Sequence, residues 1–558
     1  MKRAGLLAAL GLVMFTTAGA QTTSELLNDG KNTDNIATYG MGYSQHRYSP
    51  LNQINKSNIR RLVPVWSYST ENNYGEQAQP LVYNGVMYVT NAKWTAAINV
   101  ETGRQVWRTA EDWDPSTVRV VCCGISNKGA AIYNGKLFRV TLDAQVRALD
   151  LKTGKPIWKQ KFAEWKDGIS GIAAPLIANG VLISGLSGAE FGARGFLDGW
   201  DPETGKHLWR RYTIPGPGEP GSESWPKGSD AYLHGGGTTW VTGSYDPELD
   251  LTYWGTGNGG AWNPKERPGD SLHIASVIAV RPKTGEIAWH YQFTPGDPFD
   301  FDGVNENVLA DIKINGETRK VLMHADKNAF LYVIDRATGK LIAANEFAKQ
   351  NWAQRIDLAT GRPVFTDLLK RAMDGEEVEF WPGPRGGKNW VPMAFNPNTG
   401  LLYMNAANHP RIFKFAPIGT FQAGQRYMGV QTTVPPRTAG VPEGFYMAVD
   451  PLTAKPKWKI PLDDYMQWGG MLATGGGLLF SGKQTGEVVA IDAENGKMLW
   501  QYQTGSAINA PAVTFTHKGR QYVTVMSGRG GGAPNTPPEL RESVPLGGMV
   551  WTFALLPE

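Results

Sequence analysis

One short pattern recurs along most of the chain and limits its fold more than any other feature. It reads small residue, any residue, Asp, two residues, Thr, Gly, three residues, Trp. Clean copies occupy residues 148–158, with Asp150, Thr153 and Gly154, and residues 199–209, with Asp201, Thr204 and Gly205. Residues 97–107 carry Asn99 in place of Asp. A looser copy has Arg281, Thr284, Gly285 and Trp289, and another has Asp335, Thr338 and Gly339 but Ala343 where Trp is expected. Asp450 to Trp458 lacks the glycine, Asp492 to Trp500 completes the set, and Trp66 ends a copy reduced to its last strand.

The pattern is that of a strand-turn-strand unit. Thr-Gly supplies the turn, because glycine takes positive φ without penalty. The strand leaving the turn ends on an indole that can pack on the next unit. No unit can bury its face alone, so copies must stack. Trp107, Trp158 and Trp209 are 51 residues apart, the length of a four-stranded blade. Seven copies plus Trp66 predict an all-β, eight-bladed β-propeller with tryptophan-docking repeats, with loops inserted near residues 215–275 and 345–440. Closing such a ring removes long free strand edges. No linker separates a second domain, so residues 21–558 are expected to form one propeller domain.

Residues 1–20 read as a secretory signal: Lys2 and Arg3, an apolar run from Leu6 to Phe15, and the small-residue site Ala18-Gly19-Ala20. The apolar run is too short to span a bilayer comfortably, and no later stretch approaches it. The expectation is a periplasmic protein with no transmembrane segment in the mature chain. The formal charge is +4, falling to +2 without Lys2 and Arg3, which is no nucleic-acid footprint. The only two cysteines, Cys122 and Cys123, are neighbours. Two reduced core thiols are one reading. An oxidised pair is the other, and export favours it. Such a crosslink closes almost no loop, so local shape or chemistry would have to explain it. With two cysteines the chain has no zinc ribbon and no Cys-x-x-Cys-His haem site.

The ordered set of motifs resembles the pyrroloquinoline-quinone (PQQ) alcohol dehydrogenases, the quinoprotein methanol/ethanol family. It runs from Arg47-Tyr-Ser-Pro-Leu51 through Cys122-Cys123, Ser187-Gly-Ala-Glu190 and His234-Gly-Gly-Gly-Thr-Thr-Trp240. It continues through Gly257-Asn258, Asp300-Phe-Asp302, Lys327-Asn328, Lys388-Asn-Trp390 and Trp468-Gly-Gly470. The resemblance implies a disulfide between Cys122 and Cys123 lying over the quinone, with Trp240 beneath it. It implies edge contacts from Lys128, Ser187, Thr238, Lys327, Asn389, Trp390 and Trp468, and backbone from Gly188 and Ala189. A flat cofactor with a polar edge needs such a set: an aromatic face and several convergent donors. The chain departs from the family at three positions. Gln77 stands where Glu is common, Lys128 where Arg is common, and Ile172 where Thr is common, with Ser170 two residues earlier. A lysine is a point charge and cannot grip a carboxylate bidentately as arginine does.

The resemblance also assigns a cation to Glu190, Asn258 and Asp300, all hard oxygen donors suited to a calcium-like ion. Asp302 adds a carboxylate found in the lanthanide-type members, so a lanthanide(III) ion is expected, with calcium the alternative. Asp300 is the implied catalytic base. The expected activity is oxidation of a small primary alcohol to the aldehyde, with electrons passed to a separate soluble cytochrome c. Gly259-Gly-Ala261 after Asn258 leans towards the ethanol-type branch, and a lanthanide-type methanol dehydrogenase is the alternative. A non-catalytic propeller scaffold is the rival of another class. The oligomeric state is open, a homodimer being one expectation.

Overall fold

The computed structural model describes residues 21–438, 440–462, 466–530 and 538–556; the expected signal segment lies outside these. Strands dominate the regular structure, with only short helical segments beside them. Among the described residues, eight antiparallel sheets have four strands each, apart from one that gains a fifth. Seven are built in sequence order, spanning residues 81–110, 131–161, 176–212, 244–292, 308–346, 394–461 and 472–503. The fifth strand, Tyr48–Ser49, lies parallel to Leu472–Thr474. The eighth sheet joins the two ends of the chain: Leu62–Ser69 pairs with Met549–Leu555, which continues to Arg520–Ser527 and Val513–His517. Trp66 thus sits on the outer strand of a sheet whose other strands come from the C-terminal region. Four-stranded sheets in this succession fit a propeller.

The repeat explains how neighbouring sheets meet. In the turn, Asp150 Oδ1 accepts from Lys152 N, Thr153 N and Thr153 Oγ1 at 3.1, 2.8 and 2.7 Å. Gly154 follows at φ +70°. The indole of Trp107, from the preceding sheet, donates to Leu151 O at 3.1 Å. A Cβ on Gly154 would lie 2.4 Å from that ring, so the glycine is needed for close approach as well as for φ. Trp66, Trp158, Trp209, Trp289, Trp458 and Trp500 make the same kind of bond, to Val100, Pro202, Pro282, Arg336, Ala493 and Leu62.

The insertions carry structure of their own. Residues 353–365 form a hairpin around Asp357, Thr360 and Gly361, a further copy of the turn not recognised in the sequence; it meets Tyr291 where other copies meet Trp. Helix α1 (Asp367–Met373) follows. Val378–Phe380 then pairs with Arg411–Phe415, which pairs with Val430–Thr433, in a small three-stranded sheet. These pieces pack on a buried aromatic cluster that includes Phe299, Phe301, Trp352, Phe380 and Phe413.

Candidate active site

A cavity of about 250 Å³ gathers side chains from Gln77 to Trp468. Of the residues singled out from the sequence, Cys122, Cys123, Lys128, Ser187, Gly188, Glu190 and Thr238 line it. So do Trp240, Asp300, Asp302, Lys327, Asn389, Trp390 and Trp468. Ala189 and Asn258 do not: both are buried just behind the wall. Gln77 and Ile172 also border the cavity, as do Ser126, Pro384, Arg385 and Arg411, which sequence reasoning missed.

The segment Asp297-Pro-Phe-Asp-Phe-Asp302 shows how the acidic wall is made. Phe299 and Phe301 are fully buried in the aromatic cluster, so the alternating residues Asp300 and Asp302 are left to the cavity side. The segment is not simply extended, because Asp300 has φ +65°. A non-glycine residue held there is strained by about 1–3 kcal/mol and needs support from its surroundings. Asp297 supplies it, accepting from Phe299 N at 3.0 Å and, through its other oxygen, from Phe301 N at 3.0 Å.

Lys327 joins the two acids. Its Nζ donates to Asp300 Oδ2 at 3.1 Å and to Asp302 Oδ2 at 2.8 Å. Asp302 Oδ1 accepts from Trp240 Nε1 at 3.2 Å and from Asn258 N at 2.9 Å. The latter approach needs Gly257, where a Cβ would come 2.7 Å from Asp302 Oδ1. Burial opposes the charge on Lys327, yet the Asp300 and Asp302 carboxylates hold its ammonium above the usual lysine range. Burial pushes the Asp300 carboxyl well above the carboxylate range against the pull of Lys327, with Asp302 and Glu190 adding repulsion. Burial, then the charge of Asp302, raises Glu190 as well.

At the other acidic-to-basic contrast in the cavity, Lys128 Nζ donates to Gln77 Oε1 at 2.8 Å and stands 3.4 Å over the Trp390 ring. Its partners are neutral, and burial drives its amine well below the usual lysine range. Gln77 and Lys128, two of the three departures from the family pattern, therefore meet. Ile172 presents an apolar side chain, while Ser170 is occupied with Ser187, their hydroxyls 2.8 Å apart. Cys122 and Cys123 are disulfide-bonded.

The residues fit a flat, anionic cofactor and a hard cation. Trp468 Nε1 and Asp300 Oδ1 are buried without a hydrogen-bond partner, one a donor and one an acceptor. The carboxylates of Glu190, Asp300 and Asp302 repel one another, opposed by Lys327 and, at Glu190, by Arg426 as well. Negative charge so concentrated calls for a multivalent cation. Among the described residues no three acidic, His or Cys side chains are closed up as a ready cage, since Lys327 lies between Asp300 and Asp302.

Comparison with known proteins gives the class that this geometry suggests. The family model for "PQQ: Glucose/ethanol/alcohol dehydrogenase, beta-propeller domain" matches residues 37–347 and 441–523. Quinohemoprotein alcohol dehydrogenase ADH IIB of Pseudomonas putida is 41% identical over 518 residues, spanning 89% of this chain and 74% of its own. Quinoprotein alcohol dehydrogenase PedH of Pseudomonas putida is 38% identical over 572 residues, spanning 96% and 93%. Among solved structures, a europium-containing methanol dehydrogenase superposes with a TM-score of 0.89 at 35% identity, covering 95% of this chain and all of that one. The chain belongs to the PQQ-dependent alcohol dehydrogenase family. Within the described residues no helix is long and apolar enough to cross a membrane.

Proposed function

We propose that this chain is an exported alcohol dehydrogenase that oxidises primary alcohols to aldehydes with PQQ and a lanthanide ion. The observation that carries the reading is the meeting of Asp300, Asp302 and Lys327 on the wall of a cavity that Trp240 and the cysteine disulfide also border. PQQ would be held against Trp240 and the disulfide. Lys128, Ser187, Thr238, Lys327, Asn389, Trp390 and Trp468, with the backbone of Gly188 and Ala189, would hold its edge. Glu190, Asn258, Asp300 and Asp302 would hold the cation. When bound, the two supply an electron acceptor with a polarised carbonyl.

The chain's own residues do the rest. Asp300 removes the hydroxyl proton of the alcohol; its buried Oδ1, which has no partner, is the available acceptor. Lys327 opposes protonation of Asp300 by its charge, and Asp297 holds Asp300 in its strained backbone conformation. Trp240 and Asn258 fix Asp302, so the second carboxylate is oriented before any ion binds. A trivalent ion suits that extra carboxylate better than a divalent one. The europium enzyme's likeness to this chain supports the same choice.

The remaining parts of the reading follow from the sequence. The eight sheets are the blades of one ring within a single domain of residues 21–558, and residues 1–20 direct export to the periplasm. Electrons leave for a separate soluble cytochrome c, the acceptor that the family resemblance implies. The test is reconstitution of the purified protein with PQQ and either lanthanum, cerium or calcium, followed by a dye-linked assay over an alcohol panel. Activity with a light lanthanide and little with calcium is expected. No activity with any combination would overturn the reading.

A further inference from the structure

The reactive end of the cavity carries two guanidinium groups that the chemistry above does not use. Arg385 and Arg411 both line it. Their position is fixed by backbone contacts to the acidic wall. Gly387 N donates to Lys327 O at 2.8 Å, and a Cβ on Gly386 would lie 2.7 Å from Lys327 Cα, so the loop bearing Arg385 is pressed against the lysine that holds Asp300. The same loop is tied to the strand of Arg411: Gly383 N donates to His409 O at 2.7 Å, and Phe380 pairs with Arg411. Arg385 O accepts from Asn389 Nδ2 at 3.0 Å, one residue before Trp390. The arginines therefore border the Asp300 side of the cavity.

Arg411 is also poorly neutralised. Glu443 is the one described carboxylate felt by Arg411, and it is already bonded to His409 at 2.9 Å and faces Arg437 at 3.5 Å. Arg411 Nε is buried without a hydrogen-bond partner. Burial lowers Arg385, and repulsion from Arg411, Arg437 and Arg541 adds to this against the pull of Glu443. Guanidinium groups crowded together at a cavity wall favour a planar, bidentate anion. Both arginines lie between the two spans that match the family model, in the region that forms the inserted hairpin, helix and small sheet.

We infer that Arg411, with Arg385 beside it, receives a carboxylate on the substrate, so that the preferred substrates are primary alcohols that also bear a carboxylate group. This deepens the proposed alcohol dehydrogenase reading and rests on it. A carboxylate could also come from the cofactor, and the experiment separates the two sources. The holoenzyme is assayed with a straight-chain alkanol and with the ω-hydroxy carboxylate of equal carbon number, at fixed ionic strength. Wild type is expected to show the higher kcat/KM for the hydroxy acid. Arg411→Met should lower the hydroxy-acid to alkanol ratio of kcat/KM by about 10- to 100-fold, the value of one charged hydrogen-bonded contact. Arg411→Lys should restore part of it, since charge returns without the fork. Circular dichroism checks that each variant folds. In parallel, PQQ is titrated into metal-loaded apoprotein by tryptophan quenching, and simple carboxylates are tested as competitive inhibitors. Butanoate should inhibit wild type and lose at least tenfold in potency against Arg411→Met. If Arg411→Met instead weakens PQQ binding while the substrate ratio holds, the anion is the cofactor's and the inference falls. Alkanol oxidation with no preference for the hydroxy acid also defeats it, whereas oxidation of neither substrate defeats the underlying reading.

Discussion

Most neighbouring sheets meet through one kind of seam, and a seam that lacks both of its partners helps to explain it. At six seams an indole from one copy presses on the turn glycine of the next: Trp66 on Gly103, Trp107 on Gly154, Trp158 on Gly205, Trp209 on Gly285, Trp289 on Gly339 and Trp458 on Gly496. Between residues 308–346 and 394–461 both partners are missing. Ala343 takes the place of Trp, and Ala454 takes the place of Gly. Ala454 still adopts φ +53°, a left-handed conformation unfavourable to alanine by about 1–2 kcal/mol. It can do so because no indole needs the space of its methyl group. Asn345 replaces the indole donor, bonding Leu452 O at 2.8 Å. At this seam indole and glycine are lost together, whereas Trp500 keeps its indole bond to Leu62 O at a seam whose sequence has no turn glycine.

The cavity follows the opposite logic. A seam contact is repeated around the sheets, so losing one leaves the rest. Asp300, Lys327 and Asp302 occur once, and each touches another. Substitutions at the seams should move stability and spare chemistry. Substitutions at the cavity should do the reverse. Asp300→Asn is the strongest test. It should lower kcat by about 10²–10⁴-fold, the usual loss of a general base, with an unchanged Tm. Near-normal turnover in a variant that still binds PQQ and the cation would remove Asp300 from the role of base.

Gly154→Ala tests the other side. The new methyl must occupy a left-handed residue and meet Trp107 at 2.4 Å. A destabilisation of about 2–4 kcal/mol is expected from strain plus overpacking, read by denaturant unfolding, with specific activity kept. Loss of activity without loss of stability would break the division between seam and cavity. Asp302→Ala is smaller in effect and sharper in kind. Without the second carboxylate the variant should lose at least about tenfold of its preference for lanthanum over calcium, measured as the ratio of activities after reconstitution. Equal activity of wild type with the two ions would leave Asp302 a bystander.

The seams were legible in the sequence because each one writes the same two letters, and they were hidden where the letters changed. The turn at Asp357, Thr360 and Gly361 escaped because it docks on Tyr291, whose hydroxyl donates to Gly361 O at 2.7 Å, and not on a tryptophan. The cavity residues carry no such period. They come from loops spread between Gln77 and Trp468, and only resemblance to a family gathered them in advance. Resemblance reached the acids and the cysteines. It passed over Arg385 and Arg411, single arginines in an inserted region whose meeting depends on Gly383, Gly386 and Gly387 pressing one loop against Lys327 and His409. It also assigned Asn258 to the cation, and in the structure the backbone N–H of that residue holds Asp302.

The finest test rebuilds the odd seam as an ordinary one. Ala343→Trp alone places an indole against the methyl of Ala454 and should destabilise. Ala454→Gly alone relieves the left-handed strain and should stabilise by up to about 1 kcal/mol. Together they restore the glycine seat beneath an indole, so the double variant should be more stable than the two changes summed. A favourable coupling of about 0.5–2 kcal/mol is the expected size for residues in direct contact. The measurement is a double-mutant cycle of unfolding free energies. Coupling within error of zero would mean that indole and glycine act separately, and that their joint absence at Ala343 and Ala454 has some other cause. A coupling of the expected size would make the repeat a statement about contacts between sheets, with each copy's glycine written for its neighbour's tryptophan.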